Sequence, residues 1–166
     1  AAAAALTGHA LGAGDIPRIK KLAKTIAGIE VFLMLVSGTL LFIFAPAMAG
    51  LFTKDLTVIA LSSTVLRMVA CSEPFYGVSI AFEGMLQGAG RTVMPFAFNI
   101  IGMWGIRILG TFIFTQVVGL GLIAAWACMI AHNICLFAMF TIYFTRVKWK
   151  YAAQLLADNY HLNYQF

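Results

Sequence analysis

The sequence predicts an all-α membrane protein with about four transmembrane helices, and three observations lead to that prediction. Hydrophobic residues make up 62% of the 166 residues, and the mean hydropathy is +0.94. Charged residues make up only 10%, whereas roughly a quarter of a soluble domain is charged. The apolar residues are gathered into four stretches, each about as long as the roughly 20 residues that cross a membrane. The surface of this chain is therefore expected to face lipid.

Four predicted helices alternate with short polar or glycine-containing turns. The predicted spans cover residues 26–44, 67–87, 93–118 and 122–144. Pro46 is expected to stop the first helix, and residues 56–66 are expected to run along the interface into the second. The glycines of the next two turns are Gly88, Gly90, Gly119 and Gly121. This pattern is typical of a polytopic membrane protein and not of an amphipathic surface helix.

Basic residues are distributed unevenly about the predicted spans, and this predicts their orientation. Those expected on one side are Arg18, Lys20, Lys21, Lys24, Arg91, Arg146, Lys148 and Lys150, whereas Lys54 lies on the other. Because loops rich in lysine and arginine stay in the cytoplasm, both ends are predicted to be cytoplasmic, with residues 151–166 as a tail. We therefore interpret the net charge of +5 as a topology signal and expect no nucleic-acid partner.

The sequence argues against a signal peptide and against an enzyme. Residues 1–5 have no basic region before them, as a signal peptide would, and they resemble the tail of an apolar helix whose upstream part is missing. The three cysteines, Cys71, Cys128 and Cys135, lie inside apolar stretches without metal or disulfide spacing and are interpreted as packing residues. Metal-binding, serine-nucleophile and phosphate-loop motifs are absent from the sequence, so no enzymatic activity and no cofactor are expected.

The second predicted span carries most of the candidate site residues. At about 100° per residue, one stripe contains Tyr76, Ser79, Glu83 and Gln87. Glu73 lies close to the same face, about 15 Å deeper than Glu83. Pro74 is expected to leave one carbonyl without its helical donor, a feature of ion and substrate sites in broken helices. The stripe is therefore predicted to line a water-filled cavity.

Each ionisable candidate also has a structural interpretation. Glu83 lies about one turn from the cytoplasmic end and can simply reach water. Glu73 is either a titrating or cation-binding group or a buried hydrogen-bond partner. Arg107, near the middle of the third span, is expected to face the bundle interior and to pair with an acid, such as Glu73 or Glu83, or with backbone carbonyls, in a structural or a substrate role. His132 and Asn133 are expected to form hydrogen bonds between helices.

Several motifs, in their order and spacing, resemble one transporter family. They are residues 11–15 (LGAGD), 72–77 (SEPFYG), 83–92 (EGMLQGAGRT) with Pro95, 104–107 (WGIR) and 119–126 (GLGLIAAW). Together they resemble the multidrug and toxic compound extrusion (MATE) transporters over nearly all of residues 6–150. Members of that family have twelve helices in two six-helix lobes. The resemblance implies that residues 1–150 form part of the C-terminal lobe, from the end of helix eight to helix twelve.

The resemblance implies an antiporter that exports cationic or amphipathic drugs or toxins in exchange for H⁺ or Na⁺. Its expected location is the plasma membrane (the bacterial inner membrane), and its expected partners are lipid, a small substrate and a missing N-terminal lobe. In several branches an acid of helix ten helps to couple the ion, but Tyr76 occupies that position here. Glu73 or Glu83 is expected to substitute, unless the coupling acids all lie in the missing part.

Two other functions stay open from the sequence. A flippase for lipid-linked oligosaccharides shares the superfamily architecture but would need an arginine-rich central cavity, and this chain offers only Arg107 there. A membrane scaffold that acts as a homo-oligomer would reveal itself by self-association into a defined complex. The single arginine favours small cationic substrates.

Overall fold

The computed structural model describes residues 2–147 and Trp149. Its helices are α1 (Ala2–Gly12), α2 (Ile16–Gly50), α3 (Leu56–Gly88), α4 (Val93–Val117) and α5 (Leu122–Arg146). The described residues contain helices and turns but no strands. The four helices α2 to α5 are long and apolar enough to cross a membrane. The prediction of an all-α polytopic membrane protein is confirmed, and the predicted tail at residues 151–166 lies outside the described residues.

Aspartates define the beginnings of the two longest helices. Asp15 precedes α2, and its Oδ1 accepts a hydrogen bond from the backbone N–H of Arg18 at 3.0 Å. Asp55 precedes α3 and accepts hydrogen bonds from the N–H groups of Thr57 and Val58 at 2.8 and 3.4 Å. The first N–H groups of a helix have no partner within it, so these carboxylates are capping groups.

The two longest helices extend beyond the predicted spans. Helix α3 begins at Leu56, so the expected interfacial segment of residues 56–66 is part of one continuous helix. Helix α2 has 35 residues and α3 has 33, which makes each about 50 Å long at 1.5 Å per residue. Because the hydrocarbon core is about 30 Å thick, the ends of both helices extend into the interface or the water.

Helix α2 also continues through Pro46 to Gly50, so the prediction that Pro46 stops the helix was wrong. A proline has no N–H and leaves the carbonyl four residues earlier without its helical donor. In α2 this is the carbonyl of Phe42, and the side-chain Nε of Arg67 on α3 donates a hydrogen bond to it at 3.3 Å. Because Arg67 replaces the missing donor, α2 stays helical on both sides of Pro46.

Helix α3 is the centre of the described bundle and contacts each of the other four helices. The fully buried side chains include Leu11, Ile19, Met85, Leu86 and Phe140. They come from the end of α1, the beginning of α2 and the later turns of α3 and α5. The core therefore lies at the end of the bundle that carries the basic residues. Toward the other end, large apolar side chains of α2 such as Phe32 and Ile43 are exposed, as expected for helices in lipid.

Helix α4 departs from α-helical geometry over most of its length. Two stretches, Ile101–Ile108 and Ile113–Val117, are π-helical. In a π-helix each N–H bonds to the carbonyl five residues earlier, so the turn is wider than in an α-helix. The direction in which each side chain points therefore differs from an α-helical count along this span.

Candidate functional site

Three polar side chains meet where α3 approaches α4, and we call Glu83, Gln87 and Asn99 the Glu83 cluster. The amide Nδ2 of Asn99 donates a hydrogen bond to Oε1 of Glu83 at 2.9 Å, across the helix interface. The amide Nε2 of Gln87, one turn further along α3, donates to the same oxygen at 3.1 Å. Asn99 also donates to the carbonyl of Pro95 at 3.1 Å, which fixes its amide on α4.

The chemistry of the Glu83 cluster follows from its neutral donors. Glu83 is half-buried, and no lysine or arginine belongs to the cluster. The cluster therefore carries one negative charge when Glu83 is ionised and none when it is protonated. A carboxylate oxygen is also a preferred ligand of hard cations. Because Gln87 is exposed and Gly88 ends α3, the cluster lies at the end of the helix, within reach of solvent.

The structure divides the predicted polar stripe of α3. Glu83 and Gln87 contact each other, as residues four apart on one helix face can. Ser79 is only 2% exposed, and its hydroxyl donates to the carbonyl of Phe75 at 2.8 Å. Tyr76 is 42% exposed on the helix surface. The structure thus brings two of the four stripe residues together and leaves Ser79 and Tyr76 outside the Glu83 cluster.

Glu73 and Arg107 lie apart from the Glu83 cluster. Glu73 is half-buried on α3, and Arg107 is exposed within the π-helical stretch of α4. Among the residues that the structure describes, Arg107 does not pair with Glu73 or Glu83, so the predicted ion pair is not formed. The prediction rested on the central position of Arg107 in the third span, and that position does not determine which side chains of other helices it contacts. In its place, the neutral amide of Asn99 contacts Glu83.

A second polar contact joins α3 to α5 inside the bundle. The amide Nδ2 of Asn133 donates to Oγ of Ser72 at 3.3 Å, and both side chains are buried. This confirms the prediction of an interhelical hydrogen bond for Asn133. His132 is also buried, but its Nδ1 has no hydrogen-bond partner within the described part of the chain. Its ring lies against Gly102 of α4.

Replacing Gly102 with alanine is expected to disturb the contact between α4 and α5. A Cβ at this position would lie 2.8 Å from both Cε1 and Nδ1 of His132, closer than carbon atoms approach in proteins. Overpacking of this kind costs about 1–2 kcal/mol when the obstructing side chain can shift. The measurement is the temperature at which the detergent-purified protein loses its monodisperse elution profile.

The matched control for this prediction is Gly105→Ala, since nothing lies within 4 Å of a Cβ there. Adding His132→Ala to Gly102→Ala removes the obstructing ring and should restore part of the lost stability. If Gly105→Ala and Gly102→Ala lower the stability equally, the loss comes from placing alanine in this helix and not from the clash with His132.

Glu30 of α2 lies beside a glycine of α3. In the structure, Oε2 of Glu30 lies 3.7 Å from where a Cβ of Gly77 on α3 would be. Met34 occupies the adjoining space. The absent side chain of Gly77 therefore leaves room for an acidic group between α2 and α3, which sequence patterns on a single helix do not reveal.

The comparisons with known proteins agree on one family. The sequence profile of the MatE family matches residues 1–113. The chain is 33% identical over 147 residues to "Multidrug and toxin extrusion protein 2" of Homo sapiens, covering 89% of this chain and 24% of that protein. It is 30% identical over 148 residues to "Multidrug and toxin extrusion protein 1" of Rattus norvegicus, covering 89% of this chain and 26% of that protein.

A bacterial relative matches over a shorter part of the chain. This is the "Probable multidrug resistance protein NorM" of Thermotoga maritima, 27% identical over 121 residues. The match covers 73% of this chain and 26% of that protein. The chain thus spans about a quarter of the length of the curated relatives that it matches.

Proposed function

The chain belongs to the MatE family, and we propose from this that it forms part of a secondary transporter that exports drugs or toxins. Relatives named as multidrug and toxin extrusion proteins match 89% of the chain, and the four long apolar helices supply the membrane-spanning part. The substrates are cationic or amphipathic, and their export is coupled to the entry of H⁺ or Na⁺. The remaining helices of the transporter, including its N-terminal lobe, are partners of this chain.

The membrane orientation belongs to the same proposal. Both ends of the chain face the cytoplasm, and the membrane is the bacterial inner membrane. The basic residues before α2, at the turn between α3 and α4, and at the end of α5 support this orientation. The Glu83 cluster then lies at the cytoplasmic side of the transporter.

The single observation that carries a coupling role is the pair of neutral amides on one oxygen of Glu83. An ion pair with arginine or lysine would have to break before such an acid took up a proton or Na⁺, whereas the described hydrogen-bond partners of Glu83 are the neutral amides of Gln87 and Asn99. Tyr76, at the position that corresponds to the family's helix-ten acid, has no carboxyl group. We assign the coupling step to Glu83 and keep Glu73 as the second candidate.

Replacing Glu83 with glutamine in the full-length protein is expected to lower ion-coupled efflux by about tenfold, which is about 1.4 kcal/mol at the coupling step. Glutamine keeps the shape of the side chain but cannot carry the negative charge. The measurement is efflux of a fluorescent organic cation from proteoliposomes, driven separately by a pH gradient and by a Na⁺ gradient. If one of the two gradients no longer drives efflux in the variant, the ion of that gradient is the coupled ion.

Glu73→Gln is the matched control, because it removes the other acid of α3 outside the Glu83 cluster. If Glu73→Gln stops efflux and Glu83→Gln does not, the coupling acid is Glu73. If the wild-type protein moves no organic cation under either gradient, the proposed transport function is wrong.

A further inference from the structure

Prolines in the interiors of α2 and α3 each free one backbone carbonyl, and both carbonyls lie at the contact of these two helices. Pro46 removes the helical donor of the Phe42 carbonyl, and Pro74 removes that of the Ala70 carbonyl. The Ala70 oxygen is covered by α2, since a Cβ at Gly38 would lie 2.9 Å from it. The Phe42 oxygen accepts a hydrogen bond from the long side chain of Arg67.

Phe42 offers a cation two favourable groups at once. The Nε of Arg67 bonds to the carbonyl oxygen of Phe42, and the guanidinium carbon lies 5.4 Å from the centroid of the Phe42 ring. A carbonyl dipole and the face of an aromatic ring both attract positive charge. In this structure a cationic group of the protein itself therefore occupies a position that is suited to a cation.

This position adjoins a cleft of about 240 Å³ between α2 and α3. The residues of the cleft that matter here are Gly38, Thr39, Phe42, Ala70, Cys71 and Pro74. None of the residues that line it has a charged side chain. Gly38 lies three residues from the midpoint of the predicted span 26–44, about 4.5 Å along the helix, so the cleft is near the middle of the hydrocarbon core. Substrate sites of secondary transporters commonly lie at this depth.

We propose that the cleft between α2 and α3 binds a small organic cation at the Phe42 carbonyl and ring, in the place that Arg67 now occupies. The inference rests on the proposed function and specifies a substrate site within it. A compact ion such as Na⁺ requires several strong oxygen ligands, whereas an uncharged cleft with one free carbonyl and one aromatic face suits a large, weakly hydrated cation. Arg67 is exposed, so its side chain can withdraw when the ligand enters.

The test is binding of radiolabelled tetraethylammonium to the full-length protein in lipid nanodiscs. Arg67→Gln removes the internal competitor, and we expect the affinity to rise about fivefold or more. Phe42→Leu removes the aromatic face at similar volume, and we expect the affinity to fall about fivefold or more. A neutral compound of the same shape, 3,3-diethylpentane, should not compete.

Pro46→Ala gives a test that loss of folding cannot explain. Alanine returns a helical N–H to the Phe42 carbonyl and favours the helix, so the protein should stay folded while tetraethylammonium binds about fivefold more weakly. The matched control is Pro17→Ala, because Pro17 lies in the first turn of α2, where its missing N–H has no helical partner.

Two results would overturn the cleft as a cation site. One is an unchanged affinity in both Pro46→Ala and Arg67→Gln, and the other is equal competition by 3,3-diethylpentane, which would show an apolar groove for lipid chains. Either result leaves the proposed function intact if organic cations are still exported. If the wild-type protein neither binds nor exports organic cations, both proposals fail.

Discussion

Replacing Gly88 with alanine is expected to separate α1 from α3 and to be the most destabilising substitution predicted for this chain. A Cβ at Gly88 would overlap the backbone of Ala4, including its carbonyl group. The approach is close from both sides, since a Cβ at Gly8 would lie 3.1 Å from the carbonyl oxygen of Gly88. Two helix backbones cannot yield as the end of a flexible side chain can. We expect a loss of about 3 kcal/mol or more in the free energy of unfolding.

The control for this prediction is one turn away on the same two helices. A Cβ at Gly84 would lie 3.8 Å from the Cβ of Ala3, which is ordinary van der Waals contact. Gly84→Ala should therefore keep or slightly raise the stability, because alanine also favours the helix. The measurement is the thermal midpoint of detergent-purified protein, followed by the loss of helical circular dichroism. Equal midpoints for the two variants would contradict the close packing of α1 on α3.

The membrane-spanning helices were predictable because their signal is local. Apolar composition and length identify a span whatever its neighbours are, and all four predicted spans coincide with helices of the structure. The end of a helix is less predictable when another helix decides it. Pro46 has the local signature of a helix end, but Arg67 on α3 supplies the missing donor. Gly88 has the signature of a turn, yet it also gives α1 its closest approach to α3.

The candidate site was predictable only where its residues lie on the same helix. Glu83 and Gln87 share a face because they are four residues apart on one helix, and this follows from the sequence alone. Asn99 joins them only through the pairing of α3 with α4, which no pattern within a single span reveals. The partner of Arg107 was not predictable, because a central place in the third span does not identify the side chains of other helices that lie beside it. The sequence therefore did not predict the contacts between helices or the change from α- to π-helical hydrogen bonding within α4.

The second large effect is expected at Gly38, where α2 approaches the backbone of α3 closely. A Cβ there would lie 2.9 Å from the carbonyl oxygen of Ala70, so Gly38→Ala forces the two helices apart. The same carbonyl has lost its helical donor to Pro74 and faces α2 at Gly38. We expect a loss of about 2–3 kcal/mol in the free energy of unfolding. The control is Gly28→Ala on the same helix, where nothing lies within 4 Å of the new Cβ.

A double-mutant cycle can show whether Pro74 is the reason that Gly38 is required. Pro74→Ala returns an N–H to the Ala70 carbonyl, which then points along the axis of α3 and away from α2. Gly38→Ala should therefore cost at least about 0.5 kcal/mol less in the Pro74→Ala background than in the wild type. The measurement is the thermal midpoint of the four proteins of the cycle. The same cost in both backgrounds would mean that α2 and α3 are held together by their side chains, independently of the carbonyl that Pro74 frees.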